Sequence, residues 1–423
     1  MFCSSCGYNL EETFNFCPNC GTRAARPSAE GETDSTTVHS EADCEKEAIE
    51  SYFFAGYEYD TILCFLSKHH GITMSLSTLK RRLKQYELKR KTGDEVSDNE
   101  LMEIIRKEID GPSCVSGYRT LWHTLRLKYR MCVPRARVQA LLKEIDPVGT
   151  EQRKRHRLKR REYKSPGPNQ CWHVDGYDKL KPFGFPLHGA IDGYSRRMLW
   201  LKVTRTNSNP AVIAKYYHDC IEELGGCPRI LSTDPGTENV EIATLQCYLR
   251  GDGTDDFAGE KAHRYVASTA NQRIECWWSS LRRSRTSWWI NFFKDLSERG
   301  VYISGNIYHN ECLWFCFNEI LQQDLDFFRV HWNTHYIRQS RHDTIAGKPD
   351  ELFFLPETFG GEDQMQAVTD AQLEVVASHC EEPIVDNDYQ SYFNYVVDLQ
   401  QLAKPRNWKE CLNLFEHLLN YNT

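Results

Sequence analysis

Alternation of apolar and polar residues is clearest in the middle of the chain. Residues 171–177 read Cys-Trp-His-Val-Asp-Gly-Tyr, a pattern that predicts a β-strand delivering Asp175 at its end. A second strand is predicted from Arg229 and ends at Asp234, directly before Pro-Gly. A helical stretch that begins at Asn271 carries Glu275. The pattern therefore predicts that two strand-end aspartates and one helix glutamate form a carboxylate cluster.

The residues between these runs complete an α/β core. A hairpin is predicted over 187–203, helices over 210–224 and 240–250, and a short strand over 264–267. These elements predict a mixed sheet flanked by helices, in which neighbouring strand ends place Asp175 beside Asp234.

A cluster of three carboxylates suits phosphoryl transfer. Hard divalent cations prefer carboxylate oxygens, and two such ions can stabilise both the attacking and the leaving oxygen. Three like charges also repel one another unless a cation lies between them. Each acid alone would be an ordinary surface residue. The ordered set favours a metal-dependent site.

Four blocks around these acids resemble the catalytic core of retroviral-type integrases and transposases, the DDE family. They are Trp-His-Val-Asp at 172–175, Gly-Ala-Ile-Asp-Gly-Tyr-Ser-Arg at 189–196, Ser-Thr-Asp-Pro-Gly-Thr-Glu-Asn at 232–239 and Asn-Gln-Arg-Ile-Glu-Cys-Trp-Trp at 271–278. The resemblance covers roughly 165–350 and extends to eukaryotic integrase-core proteins with an N-terminal zinc ribbon.

The resemblance implies a ribonuclease-H-like fold and cutting or joining of DNA phosphodiesters with two Mg²⁺ or Mn²⁺ ions. Asp175, Asp234 and Glu275 would be both the catalytic residues and the metal ligands, with Asp175 shared by the two ions. The spacing departs from the family: 40 residues separate Asp234 from Glu275, more than is usual, and the glycine-rich acidic loop at 251–256 holds the excess. Two other acids, Asp192 in the hairpin and Glu238 after Asp234, are supporting candidates.

The N-terminal end carries a separate metal motif. Two Cys-x-x-Cys pairs, each followed by a glycine, are ten residues apart and predict a zinc ribbon over 1–22 that holds structural Zn²⁺. A redox role for these pairs is the weaker alternative. The predicted ligands are Cys3, Cys6, Cys17 and Cys20.

Two helical units are predicted before the core, after a disordered linker over 23–42 that is rich in Ser, Thr and Glu. The helix-turn-helix-like unit 43–91 and the second unit 92–150 each end in a helix with basic residues on its exposed positions. We predict DNA binding by these helices, although a solvated helical face is the open alternative. The basic residues are Lys80, Arg81, Lys84, Arg135 and Arg137.

Further DNA contacts are predicted around the core. The linker 151–168 contains eight Lys or Arg residues between positions 153 and 164, which favours phosphate contact or nuclear import over a merely solvated linker. Basic and polar residues near Glu275 could position a phosphate, or could serve solubility alone. The candidates are Lys159, Arg160, Arg161, Asn271, Arg273, Arg282 and Arg283, with Arg285 on the same predicted face.

Charge is distributed unevenly along the chain. The net charge is −7, but residues 1–60 carry −9, residues 350–423 carry −11 and the middle carries +13. A basic middle is compatible with DNA binding. The acidic end retains apolar residues at helical spacing, so a small folded helical module is predicted over 351–423, after a core and its extension over 169–350. Its charge favours a protein partner or an autoinhibitory contact.

The remaining expectations rest on the composition of the whole chain and on the family resemblance. With 40% hydrophobic residues, no long apolar run and no charged start followed by an apolar stretch, we expect a soluble intracellular protein that does not use a membrane. The 17 cysteines are expected to be reduced. The resemblance implies at least a dimer, and a nuclear protein if the host has a nucleus. A DNA-binding protein that has lost catalysis, and a protein-interaction scaffold, are the rival functions.

Overall fold

The computed structural model describes residues 41–90, 96–110, 113, 116–147, 150, 165–267, 270–339, 345–384 and 386–421. The predicted zinc ribbon, the linker 23–40 and most of the basic linker lie outside the described residues. The chain forms two compact units, residues 1–160 and 161–423. Each unit is considered by itself.

The first unit is helical in its described part. Ser75 caps α3, accepting a hydrogen bond from the Thr78 amide at 3.1 Å, and Ser97 caps α4 through the Glu100 amide at 3.2 Å. The sequence therefore starts these two helices with the residue type that satisfies an orphan N–H. The helices are α1 Glu41–Phe54, α2 Tyr59–His70, α3 Leu76–Gln85, α4 Asp98–Ile109, α5 Tyr118–Tyr129 and α6 Arg135–Ile145.

Arg126 of α5 joins helices α4–α6 to helices α1–α3. Its guanidinium is buried and donates to the backbone oxygens of Phe53 at 2.6 Å and Phe54 at 3.3 Å, at the end of α1. The apolar residues of α4, α5 and α6 form a core of their own around Leu101, Leu121 and Val138.

The second unit is built on one mixed five-stranded sheet in the order β3-β2-β1-β5-β6. β1 pairs antiparallel with β2 and parallel with β5, and β5 pairs parallel with β6. A separate two-stranded sheet joins β4 to β7. The strands are β1 Cys171–Tyr177, β2 Leu187–Asp192, β3 Met198–Val203, β4 Gly226–Cys227, β5 Ile230–Thr233, β6 His263–Tyr265 and β7 Gln366–Ala367.

Helices cover both faces of this sheet, and the α/β fold class is confirmed. The predicted hairpin and the helix at 210–224 have the expected bounds. The strand predicted over 264–267 is β6, which ends two residues earlier than predicted, at Tyr265. The helices are α7 Pro210–Leu224, α8 Val240–Leu249, α9 Gln272–Leu281, α10 Ser287–Glu298, α11 Ile307–Thr334, α12 Pro349–Phe354, α13 Asp370–Ser378, α14 Asp388–Leu399 and α15 Trp408–Tyr421.

The acidic C-terminal segment shares its cores with the sheet. Phe393 and Phe415 are buried in the same cluster as Leu187 and Leu201 of the β2–β3 hairpin, and Val376 lies in the cluster on the other face. The boundary predicted between 350 and 351 falls inside α12. The structure therefore does not separate 351–423 from the core as a module, because the apolar faces of its helices are used to cover the core.

Glu311 of α11 fastens α14 through hydrogen bonds. Its carboxylate accepts from Arg205 at 2.7 Å, from Asn387 at 2.9 Å and from Gln390 at 2.9 Å. Burial alone would raise the pKa of Glu311, but these hydrogen bonds and the charge of Arg205 lower it. The ionised form of this carboxylate thus stabilises the attachment of the C-terminal segment.

No helix in the described part of the chain is long and apolar enough to cross a membrane. The cysteines within it carry free thiols, and several, such as Cys220 and Cys312, are buried among apolar residues.

Candidate active site

Asp175 lies inside β1, two residues before the strand ends. Gly176 and Tyr177 continue the antiparallel pairing with β2, so the prediction that this carboxylate ends the strand was wrong. Pairing with β5 stops earlier, at His173 opposite Ser232. Asp175 therefore lies just beyond the paired part of the β1–β5 edge, where the strands leave room between them.

Asp234 follows β5 directly. Continuing the parallel register by two residues from the His173–Ser232 pair sets Asp234 level with Asp175. The side-chain amide of Asn239 donates to Oδ1 of Asp234 at 2.8 Å and to the Asp234 backbone oxygen at 3.3 Å. Asn239, in the loop after β5, therefore holds the side chain of Asp234 in place.

Helix α9 brings Glu275 to this edge. Asn271, immediately before the helix, bonds Nδ1 of His173 at 2.7 Å and donates to the backbone oxygen of Val174 at 3.1 Å. Ile274 is buried on the inner face of the same helix turn. These contacts attach the start of α9 to β1, one residue before Asp175, and leave Glu275 half-buried at the sheet edge.

Asn271 was predicted to contact DNA, and the structure assigns it a different place. Only 1% of the residue is exposed, and both ends of its side-chain amide are used within the protein. Burial, with the charge of Arg273, lowers the pKa of His173 to about 4, although the hydrogen bond with Asn271 opposes this shift. The Asn271–His173 pair is therefore an uncharged attachment between helix and strand.

The three acids influence one another's ionisation. Burial raises the pKa of Asp175 from 3.8 to about 7, and the charges of Glu275 and Asp234 add to the rise. Burial and the charge of Asp234 also raise the pKa of Glu275, while Lys179 lowers it. The site is a cluster of carboxylates in which the charges of Asp234 and Glu275 disfavour ionisation of Asp175.

Trp278 contributes a contact that sequence reasoning missed. Its indole N–H donates to Oδ2 of Asp175 at 2.9 Å, and this hydrogen bond lowers the pKa of that carboxyl against the stronger effect of burial. Trp278 is one turn after Glu275 on α9, so it faces β1 from the helix that carries the third acid. The sequence signal for this contact was that Trp278 lies in the block 271–278, which resembles the integrase family.

The triad is more open than a compact chelate. Among the described residues, the three-residue group whose ligand atoms all lie within 4.8 Å of one another is His218, Asp219 and Glu222 on the outer side of α7. Lys215 already pairs with Asp219 at 2.6 Å, so that group is a surface charge cluster. The wider spacing of Asp175, Asp234 and Glu275 suits a pair of ions shared by several carboxylates.

The two supporting acids have distinct places. Asp192 is fully buried and accepts four hydrogen bonds, from the amides of Asn169, Tyr194 and Ser195 and from the Ser195 hydroxyl. It shapes the β2–β3 turn. Glu238 shares the Asn239 amide with Asp234, at 3.4 Å, and so adjoins the loop that positions Asp234.

Of the basic residues in the first unit that were predicted to bind DNA, four are exposed and one forms an ion pair within the protein. Lys80, Arg81 and Lys84 are exposed on α3. Arg135 is exposed and stacks over Trp122, with its guanidinium carbon 4.1 Å from the ring centroid. Arg137 is half-buried, and its guanidinium instead donates to Asp98 at 2.6 Å, so its charge is paired within the protein.

The basic candidates near Glu275 divide in the same way. Arg282 and Arg283 are exposed beyond the end of α9, and Arg273 is half-buried in its first turn. Arg285 is buried and pairs with Asp324 at 3.1 Å, because a π-helical turn over Arg282–Thr286 rotates it inward. The predicted common basic face thus ends before Arg285.

Other predicted residues fall outside the described part of the chain. They are the zinc candidates Cys3, Cys6, Cys17 and Cys20 and the linker residues Lys159, Arg160 and Arg161.

Two family models match this chain. Residues 162–355 match the model described as an integrase core domain, which spans the sheet, the three acids and α9. Residues 2–23 match the model of a zinc-ribbon domain, in agreement with the four predicted cysteine ligands. No curated protein matches the chain significantly. The chain therefore carries an integrase core domain, with a ribonuclease-H-like fold, and a zinc-ribbon domain at its N-terminal end.

Proposed function

We propose that this protein cuts or joins DNA phosphodiesters as a DDE-type polynucleotidyl transferase that depends on two divalent cations. The observation that carries the proposal is the juxtaposition of Asp175, Asp234 and Glu275, which follows from the β1–β5 register and from the attachment of α9 to β1. The charges of Glu275 and Asp234 both raise the pKa of Asp175. The integrase core match over the same residues supports it.

The donor set fits Mg²⁺ or Mn²⁺. The three groups are carboxylates, the ligands that hard divalent cations prefer. The pKa of Asp175, about 7, reflects a buried carboxyl among acids, and a neighbouring cation would favour its ionised form. Asp175, Asp234 and Glu275 would hold the ions, and cations bound there would supply Lewis acidity for attack by water or a DNA 3′-hydroxyl and for departure of the leaving oxygen.

The chain's own residues hold the acids and the substrate. Trp278 donates to Oδ2 of Asp175 and Asn239 donates to Oδ1 of Asp234, so each donor restrains the carboxylate that it contacts. Lys179 is exposed and close enough to Glu275 to lower its pKa, so it borders the site. We propose that Lys179, Arg273 and Arg282 contact DNA phosphates beside the acids.

DNA binding would extend to the first unit. Lys80, Arg81 and Lys84 present three positive charges on the exposed side of α3, while Leu79 and Leu83 are buried beneath them. An exposed basic helix face of this kind fits the phosphate backbone or a groove of duplex DNA. Their substitution should weaken binding similarly for all sequences and reduce its salt dependence.

The test is nicking and strand joining on supercoiled plasmid and short duplex DNA in Mg²⁺ or Mn²⁺. Wild-type protein is compared with Asp234→Asn and with Asp252→Asn, a matched loss of one exposed acid in the loop after α8. We expect metal-dependent activity in wild type and Asp252→Asn and its loss in Asp234→Asn.

Two results would contradict the proposal. Activity that survives Asp234→Asn would exclude the triad as the source of catalysis. Salt-sensitive duplex binding with no turnover in any variant, on blunt, recessed and nicked ends alike, would instead support the DNA-binding protein without catalysis.

A further inference from the structure

One face of α14 is apolar and open to solvent. Tyr395 is 63% exposed and Leu399 is 57% exposed, and Tyr392 is half-buried beside them. At about 100° per residue, these three side chains lie within roughly 60° of one another around the helix. They form a continuous stripe, here called the α14 stripe.

The α14 stripe borders the face that attaches the helix to the core, with Tyr392 at the boundary between them. Phe393 packs against Tyr308 and Phe315 of α11, with ring centroids 5.3 Å apart in both cases, and Val396 and Val397 are buried next to it. The helix therefore already has its partner on one side. Tyr392 packs partly on the core cluster, whereas Tyr395 and Leu399 stay exposed among the described residues, and exposed large apolar side chains in a row are unfavourable in water.

Negative charge surrounds the α14 stripe. Residues 380–403 contain five Asp or Glu residues and no Lys, Arg or His. Asp388 is exposed one turn before Tyr392, and Asp398 is exposed three residues after Tyr395. Ile384, just before the helix, is 69% exposed and adds apolar area to the same acidic segment.

We propose that the α14 stripe is a docking surface for a basic amphipathic helix of a partner protein. The apolar face of such a helix would cover Tyr395 and Leu399, and flanking Lys or Arg residues would meet Asp388 and Asp398. The sign of the charge excludes a nucleic acid. A two-fold pairing of two α14 helices would bring these aspartates against their own copies, so a second copy is a poorer fit than a basic partner.

The test uses a fluorescein-labelled 18-residue peptide of leucine and lysine in an amphipathic helical pattern. Its binding to the full chain is measured by fluorescence anisotropy, together with a peptide of the same composition in scrambled order. The variants are Tyr395→Lys, Leu399→Lys and, as a matched control, Tyr248→Lys, an exposed tyrosine of α8. Circular dichroism verifies that each variant folds.

We expect the patterned peptide to bind wild type and Tyr248→Lys equally, and to bind Tyr395→Lys and Leu399→Lys about tenfold or more weakly. Tyr395→Phe should retain binding. Equal binding of both peptides would mean that charge alone attracts them and would overturn the docking surface. Equal affinity of all variants, or self-association that Tyr395→Lys abolishes, would overturn it as well. None of these readouts depends on DNA cleavage.

Discussion

Replacing Asp175 by asparagine should stabilise the protein in the absence of metal while it removes the response to metal. The folded state raises the pKa of Asp175 from 3.8 to about 7, chiefly through burial. Asparagine keeps an oxygen for the Trp278 indole at the same position and carries no charge. The substitution therefore removes the buried charge and retains the hydrogen bond.

The magnitude follows from the pKa difference. Because the folded-state value lies above the unfolded one, the folded protein binds an additional proton between about pH 4 and pH 7, and stability falls as the pH rises through that range. The slope from this group is about 1.4 kcal/mol per pH unit, and the total cost near pH 8 is about 4 kcal/mol. Asp175→Asn should not show that slope.

Urea unfolding measured by tryptophan fluorescence at pH 5 and pH 8 in EDTA provides the assay. Nine of the ten tryptophans lie in residues 161–423, so the signal reports the unit that holds the site. We expect Asp175→Asn to be more stable than wild type at pH 8 and the difference to shrink at pH 5. Added Mg²⁺ should stabilise wild type and leave the variant nearly unchanged.

The control is Asp252→Asn, whose exposed carboxylate should leave both the pH dependence and the metal response as in wild type. A variant that is equal to or less stable than wild type at pH 8 in EDTA would refute the reasoning, because the buried charge would then carry no cost. Equal stabilisation of variant and wild type by Mg²⁺ would separate Asp175 from metal binding.

Three further outcomes are expected. Trp278→Phe keeps the ring and removes the indole donor, so Mn²⁺ affinity measured by calorimetry should fall about tenfold, the value of a hydrogen bond to a charged acceptor; unchanged affinity would contradict this. Asn271→Ala should lower the melting temperature and the rate of strand cleavage together, because it frees the start of α9, and normal values of both would count against that attachment. Glu311→Gln should increase hydrogen exchange in α14 at pH 7, and the difference from wild type should shrink as the pH falls from 4.5 through the lowered pKa of Glu311, because that ionised carboxylate stabilises the helix; equal exchange at pH 7 would disprove it.

Much of the second unit could be predicted from sequence because its signals are local. The strands ending near Asp175 and Asp234 combine apolar alternation with a glycine or Pro-Gly stop, and the helix Pro210–Leu224 begins with asparagine and proline and ends at Gly225. Each signal lies within a few residues of the element that it starts or ends. Such signals predicted the bounds of the helix, whereas β1 continues past Gly176 to Tyr177 because it remains paired with β2.

The role of individual polar residues could not be predicted in the same way. Trp278 meets Asp175 across 103 positions and Asn271 meets His173 across 98. Arg285 is three residues beyond Arg282 but is rotated inward by a π turn that has no sequence mark. Exposure of a polar side chain depends on such non-local contacts, and composition alone does not reveal them.

The C-terminal segment illustrates a related limit. Its apolar spacing predicts helices correctly, but the same spacing is compatible with a separate module or with packing on another domain. Phe393 and Phe415 resolve this by joining the cluster of the β2–β3 hairpin, and Glu311 adds hydrogen bonds to the helix start. A hydrophobic face predicts that a helix is covered, and does not identify what covers it.

The hydrogen bonds around two of the three acids are consistent with the proposed metal site. Asp175 is held by an indole and Asp234 by an amide, and both donors are neutral. A neutral donor fixes a carboxylate without cancelling its charge, whereas an arginine in the same place would form an ion pair and compete with a cation. Lys179, the cation that lowers the pKa of Glu275, is exposed and therefore screened by solvent. The arrangement thus keeps the acids in place and their negative charge available, which is the condition under which binding two divalent cations is most favourable.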